Sequence, residues 1–152
     1  MKIVQYVNNK ANVILGKDYC PNSAMKNEFQ SELLSCRMEK IEIFENQLHQ
    51  YIVAPHAKFI VFHLKFHNHT NNRILVDMNS FFIKFDGQGP YSCEEYFAYD
   101  NQFKDRFELG PYQDKTGCII FVVSKVCKKI MLAYEEESDD QLKVYKFKYI
   151  LT

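Results

Sequence analysis

The chain has 152 residues, and its 19 Lys and Arg balance its 19 Asp and Glu, so the formal net charge is zero. This length fits one domain with a real core, because a chain of this size buries roughly two-thirds of its unfolded surface. A neutral chain has no long-range field that would draw it to nucleic acid or to an anionic membrane. Aromatic residues make up 15% of the chain, and because Phe and Tyr suit half-buried strands, the composition favours an all-β protein.

Two apolar stretches in residues 1–22, KIVQYV and NVILG, are separated by Asn8-Asn9-Lys10 and predict an added hairpin. The stretch SAMKNEFQSELL then places Met25, Phe29 and Leu33 at spacings of four, with Ser23 as an N-cap. This period is that of a helix. We therefore expect a short helix from about Ser23 through Cys36.

The following stretch, ELLSCRMEKIEIFEN, carries two strand phases. Leu34, Cys36 and Met38 share one phase, whereas Ile41 and Ile43 share the other. A continuous strand would therefore contain a bulge near Glu39-Lys40. We expect a strand from about Met38, with residues 1–37 as an N-terminal extension and residues 38–152 as the main domain.

The clearest strand is FIVFHLKFH, in which every second residue from Ile60 to Phe66 is apolar. The opposite face carries histidines and is expected to be wet. His63 and His67 would lie about 13 Å apart, too far to share a metal ion, whereas His67 and His69 would lie about 7 Å apart. Solvated histidines are therefore the favoured interpretation, with a metal site at His67 and His69 as the weaker alternative.

The C-terminal half continues this pattern. Phe81, Ile83 and Phe85 alternate before the turn cluster at residues 86–90, and GCIIFVVSK is apolar on both faces, which indicates a strand that is central or partly covered. KKIMLAY and QLKVYKFKYI flank the acidic residues 135–140 and predict a hairpin with a solvated tip, for which calcium binding is the alternative. We expect one core, formed by Phe62, Leu64, Phe66, Phe81, Ile83, Phe121 and Leu132.

The segment GPYSCEEYFAYDNQF, residues 89–103, is too aromatic for a plain loop and too acidic for an inner strand. Two interpretations stay open: a lid whose rings pack over one end of the domain, or a binding surface. The candidate binding residues are Tyr91, Tyr96, Phe97 and Tyr99. If they form a surface, at least two of the rings at Tyr96, Phe97 and Tyr99 are exposed, because neighbouring carboxylates resist burial.

About seven short strands separated by turn clusters outline an immunoglobulin-like β-sandwich. Four stretches carry a further pattern, namely Leu64–Thr70, Asn79–Gly87, Leu109–Val123 and Lys128–Tyr134. Their motifs and order resemble those of a bacterial family of domains of unknown function, found mostly in secreted proteins and lipoproteins and related in fold to immunoprotective extracellular antigens. The chain departs from that family at Tyr112, where Gly is usual. The resemblance implies an adaptor or binding domain and transfers no catalytic residue.

The cysteines and the N-terminus carry information about the cellular compartment of the protein. Five widely spaced cysteines, an odd number, indicate reduced thiols. The N-terminal apolar run is shorter than the about 7–15 residues of a signal peptide, and no stretch approaches the roughly 18 apolar residues of a membrane span. As written, the chain is expected to be cytoplasmic, although an envelope or secreted protein that had lost its signal peptide would have the same sequence.

Catalytic motifs are missing from the sequence. It has no Gly-rich phosphate loop, no GxSxG and no HExxH, and Cys93 lies beside two carboxylates that would raise the pKa of its thiol. We therefore expect a non-enzymatic, cofactor-free module that binds a protein partner. The alternative is a domain that binds a small ligand or a metal through His67 and His69 or through residues 135–140.

Overall fold

The computed structural model describes residues 5–6, 13–15, 27–95, 98–103, 105–138 and 140–151. The regular elements of this part are β-strands, apart from one 3-10 turn at Met78–Ser80. The prediction of an all-β protein is therefore confirmed.

The first of two large sheets, sheet 1, has five antiparallel strands. Their order is β1 (Gln5–Tyr6), β4 (Leu34–Phe44), β7 (Ala57–Asn68) and β12 (Asp114–Ser124), with β3 (Glu28–Gln30) also paired to β4.

Sheet 2 also has five antiparallel strands. Their order is β10 (Gln88–Ser92), β9 (Phe81–Phe85), β13 (Lys129–Ser138), β14 (Gln141–Leu151) and β2 (Val13–Leu15).

Two short strand pairs complete the described part. β5 (Gln47–Leu48) pairs with β6 (Tyr51–Ile52), and β8 (Ile74–Asp77) pairs with β11 (Arg106–Leu109).

The two sheets face each other across one apolar core, so the molecule is a β-sandwich. Alternation drives this arrangement, because every second residue of β7, β9, β12 and β13 points inward. Rings meet between the sheets, as in the pair Phe66 and Phe81, whose centroids are 5.7 Å apart. All seven residues predicted to form one core are buried in this cluster.

The expected N-terminal helix is wrong over its described residues, because residues 28–30 and 34–36 form strands β3 and the start of β4. Residues 23–26 lie outside the described part. Helical spacing was outweighed by packing: as a strand residue, Phe29 is fully buried and its ring stacks on Tyr145 at 5.1 Å, on the opposite sheet. The division of the chain at residue 37 stays a prediction.

The expected hairpin in residues 1–22 is also wrong for the residues described. Gln5–Tyr6 pairs with β4 in sheet 1, whereas Val13–Leu15 pairs with β14 in sheet 2. The remaining residues of that stretch lie outside the described part. The bulge in β4 is confirmed, since the register with β7 shifts between Met38 and Lys40.

The turn after β9 is shorter than predicted. Asp86 and Gly87 have φ values of 47° and 80°, and pairing of β9 with β10 resumes at once, with a register shift between Gln88 and Tyr91. Two successive residues with positive φ suit a two-residue hairpin turn. The sequence pattern predicted the position of the turn correctly but placed its end at residue 90, whereas strand pairing resumes at Gln88.

The C-terminal hairpin is confirmed, but its acidic run is not a solvated tip. Glu135, Glu136 and Glu137 extend β13, and Glu136 points inward. Its Oε2 accepts hydrogen bonds from the Ser31 hydroxyl at 2.6 Å and from the Tyr134 hydroxyl at 2.9 Å. Strand alternation continued through the carboxylates, so Glu136 is only 5% exposed.

Candidate functional site

The outer face of sheet 1 is covered at one end by a second apolar cluster, which we call the outer cluster. Its buried members are Phe44, Leu48, Phe59, Val61, Cys118 and Ile120, and Tyr51, Val53, Ala98, Tyr99 and Val122 pack against them. The expectation of a wet outer face on β7 is therefore wrong at Val61, which is fully buried. The cover explains why β12 is apolar on both faces.

A polar group lies at the rim of the outer cluster. His63 Nε2 lies 2.5 Å from Glu42 Oε1, and Lys40 Nζ lies 3.4 Å from the same oxygen. Burial lowers the pKa of His63, and the hydrogen bond to Glu42 opposes this only in part. A neutral imidazole that donates to the Glu42 carboxylate satisfies this geometry. The ring of Tyr99 lies edge-on to those of His63 and His49, at 5.8 and 5.3 Å.

Cys118 is the cross-strand neighbour of His63, which places a thiol beside an imidazole. Burial raises the pKa of Cys118 to about 12, and the charge of Glu42 adds to the effect. The sulfur is therefore a thiol at neutral pH and a poor nucleophile. Cys118 and His63 therefore contribute to the packing of sheet 1.

The other described cysteines, Cys36, Cys93 and Cys127, are also free thiols with raised pKa values. For Cys93 the larger cause is burial, and the neighbouring carboxylates that the sequence pointed to contribute less. Cys20 lies outside the described residues.

The two histidines of the predicted metal alternative engage different partners. His67 Nδ1 lies 2.5 Å from Asp114 Oδ1, whereas His69 Nε2 donates to the Ser31 carbonyl at 2.8 Å. The hydrogen bond from His67, with the charge of Lys65 nearby, lowers the pKa of Asp114. Among the residues that the structure describes, no three His, Cys, Asp or Glu side chains are grouped so as to hold a metal ion.

Residues 93–95 and 98–103, here called the crossing segment, follow β10 of sheet 2 in the sequence and lie along the edge of β12 in sheet 1. Three backbone hydrogen bonds hold it there: Glu94 N to Ile120 O at 2.8 Å, Cys118 N to Asn101 O at 3.2 Å, and Phe103 N to Cys118 O at 2.9 Å. Phe103 is buried and stacks on Phe107 at 4.8 Å. The segment thus covers a sheet edge that would otherwise offer unpaired backbone groups.

The predicted binding residues are divided between the two sheets. Tyr91 lies on β10 of sheet 2, is 47% exposed, and stacks on Phe85 at 5.4 Å. Tyr99 packs on the outer cluster of sheet 1. Tyr96 and Phe97 lie outside the described residues, so a binding surface at residues 91–99 stays a prediction.

Sequence reasoning missed the residues that cover the outer cluster. Leu48 and Tyr51 come from β5 and β6, each two residues long, which is too short for any periodic signal. The available signal was the second apolar face of β12, formed by Cys118, Ile120 and Val122. This second face indicated that another segment covers β12, but it did not identify that segment.

No protein-family model matches the sequence, and no curated protein matches it. In the part of the chain that the structure describes, there is no helix long and apolar enough to cross a membrane. The fold is nevertheless similar to solved structures of bacterial proteins whose functions are unknown.

One similar structure is the "putative lipoprotein (ycdA)" of Bacillus subtilis, with a TM-score of 0.64 and 14% identity over 80% of this chain. This chain spans only 38% of that protein's chain. A functionally unknown protein from Listeria monocytogenes has a TM-score of 0.63 at 8% identity, covering 93% of this chain and 88% of that one. A conserved hypothetical protein from Bacillus anthracis has a TM-score of 0.55 at 14% identity, covering 91% and 98%. These likenesses show a shared fold.

Proposed function

We propose that this chain is a non-catalytic, immunoglobulin-like binding module that engages a protein partner. The strand order supports the immunoglobulin-like assignment. Strands β4, β7 and β12 follow the order A, B and E in one sheet, and β10, β9, β13 and β14 follow the order C′, C, F and G in the other. The sequence motifs of the bacterial domain family point to the same fold.

The state of the reactive side chains supports a non-catalytic role. A nucleophilic cysteine needs a depressed pKa, whereas burial raises the pKa of Cys118 to about 12. His63 is held by Glu42 under Tyr99, and His67 is held by Asp114. These groups stabilise the sandwich.

The single observation that carries the binding role is the exposed ring of Tyr91. All five residues of β10 are exposed, and stacking on Phe85 fixes the orientation of the Tyr91 ring. Rigid, half-exposed tyrosines within a polar rim are typical of protein-binding hot spots, because little side-chain entropy is lost on binding. Gln88 and Ser92, which are exposed on the same strand, supply part of such a rim.

The test compares wild-type protein with Tyr91→Ser as baits in a lysate of the native organism, followed by affinity measurement with the purified partner. Tyr112→Ser is the matched control, because Tyr112 is 62% exposed in the turn before β12. We expect Tyr91→Ser to weaken the complex by about 2 kcal/mol or more, roughly 30-fold, and Tyr112→Ser to leave it unchanged. A partner that binds wild type and Tyr91→Ser equally, or no protein enriched over that variant, would contradict the proposal.

A further inference from the structure

The outer face of sheet 2 carries opposite charges at its two ends. Alternate residues of β13 and β14 point away from the core, and their register sets them in five rows across the sheet. In order, the rows are Glu137 and Leu142, Glu135 and Val144, Ala133 and Lys146, Met131 and Lys148, and Lys129 and Ile150. β9 adds Phe82 beside Ala133 and Lys84 beside Met131. One end of the face is therefore acidic and the other is basic.

Each end of this face also has an exposed apolar side chain. Leu142 at the acidic end is 62% exposed, and Ile150 at the basic end is 41% exposed. Val144, between them on the same strand, is also 41% exposed. Leu142 and Val144 are neighbours on the outer face of β14, whereas Lys146 and Lys148 separate them from Ile150.

We propose that a second copy of this chain docks on the outer face of sheet 2, in a dimer with two-fold symmetry. A two-fold axis that lies in the interface and runs across the strands through the Ala133 row places the acidic end of each copy over the basic end of the other. Glu137 then faces Lys129, and Leu142 faces Ile150. Every such contact is made twice, because the interface is self-complementary.

The charge pattern selects this axis over the alternative. A two-fold axis along the strands would place Glu137 over Glu137 and Lys129 over Lys129, which is repulsive. With the axis across the strands, Glu135 lies over Met131, which has Lys84 and Lys148 on either side. Packed sheets cross at about 30°, which displaces the ends of this face by roughly 7 Å, a shift that long lysine stems tolerate.

The size of the face sets the strength of the dimer. Nine residues each of β13 and β14 and the five residues of β9, in strands about 4.8 Å apart, present roughly 380 Å² per copy. This is below the about 600 Å² per copy of the smallest specific interfaces, so the dimer is weak and concentration-dependent. At the axis, Lys146 of one copy faces Lys146 of the other, and their repulsion weakens the dimer further. The charged ends make association sensitive to salt.

The experiment is sedimentation velocity on the whole chain, from about 10 µM to 1 mM, at low salt and at about 0.5 M salt. We expect reversible dimerisation that weakens at high salt. Glu137→Lys places like charges opposite each other at both symmetric contacts, so the dissociation constant should rise about tenfold or more. The double variant Glu137→Lys/Lys129→Glu restores both pairs and should bring dimerisation back to near the wild-type level.

Two further variants separate this interface from general effects of charge. Glu39→Lys makes the same charge change at an exposed residue of sheet 1 and should leave dimerisation unchanged. Leu142→Ser keeps the charge and should weaken the dimer. Circular dichroism checks that each variant is folded. The proposal is overturned if wild type stays monomeric throughout, if Glu137→Lys dimerises like wild type, or if the double swap fails to restore association.

Discussion

Replacing Gly117 by Ala should detach the crossing segment from the edge of β12. A Cβ at residue 117 would lie 2.5 Å from the carbonyl oxygen of Asn101 and 2.7 Å from Cζ of Phe103. Neither atom can yield easily, because one belongs to the backbone and the other to a buried ring that packs against Phe66 and Phe107. Gly117 is therefore required by the close approach of two chain segments.

The expected loss of stability follows from the atoms that the added methyl group would displace. Overpacking in a core costs about 1–3 kcal/mol, and the two hydrogen bonds between Cys118 and residues 101 and 103 contribute about 1 kcal/mol each where they break. With both hydrogen bonds broken, we expect Gly117→Ala to lower the free energy of unfolding by about 3–5 kcal/mol. Urea denaturation followed by circular dichroism measures it, and hydrogen exchange at the amides of Cys118 and Phe103 should accelerate.

The matched control is Gly110→Ala. A Cβ at Gly110 would also make a close contact, 2.6 Å from Gln113 Oε1, but this atom ends a flexible, exposed side chain that can rotate away. We expect a loss of about 1 kcal/mol or less, from the hydrogen bond between Gly110 N and Gln113. If Gly117→Ala were within about 0.5 kcal/mol of wild type, or no worse than Gly110→Ala, the reasoning about the crossing segment would be refuted.

Four other predictions concern the core, the surface and the chemistry of the sandwich. Phe121→Ala should cost about 3–5 kcal/mol, because the ring is fully buried; an unchanged melting temperature would refute its place in the core. Tyr91→Ala should change stability by about 0.5 kcal/mol at most, whereas Tyr99→Ala should cost about 1–3 kcal/mol through lost packing on the outer cluster; the two melts should not coincide. Burial lowers the pKa of His63 in the folded state, so the unfolded chain binds more protons. The stability due to a neutral His63 is therefore complete above about pH 6.5 and is lost as the pH falls. Between about pH 7.5 and 5.5, His63→Gln should lose less stability than wild type, and equal losses would contradict this role of His63. Finally, a protein-binding module should show no thermal shift with zinc or calcium, whereas a site for either ion at 100 times its dissociation constant would add about 2.7 kcal/mol.

The parts of the fold that the sequence predicted are those in which a local pattern and the tertiary contacts agree. Alternation from Ile60 to Phe66 and from Phe81 to Phe85 determines which side chains can reach the core, and the core contains them. At Phe29 the two disagreed. A spacing of four also fits residues of a strand, and only the rings of sheet 2 decide between helix and strand there.

The candidate site was less predictable, for physical reasons. The crossing segment is held by backbone hydrogen bonds, which do not depend on side-chain identity and leave no pattern in the sequence. Tyr91 and Tyr99 are eight residues apart, yet Tyr91 stacks on Phe85 at the edge of sheet 2 and Tyr99 packs on the outer cluster of sheet 1. The composition of residues 89–103 marked this stretch as unusual, and only the fold shows that Tyr91 and Tyr99 belong to different sheets.

The bulge in β4 also has a consequence for how the chain can change in length. Met38 is paired with Leu64 and Lys40 with His63, so Glu39 is the extra residue. Removing Glu39 alone would close the register without turning any inward side chain outward, at the expense of its exposed ion pair with Arg37. A one-residue deletion within β12, whose pairing with β7 is continuous, would instead exchange the two faces of part of the strand. Relatives of this protein that differ by one residue in sheet 1 are therefore expected to differ at Glu39.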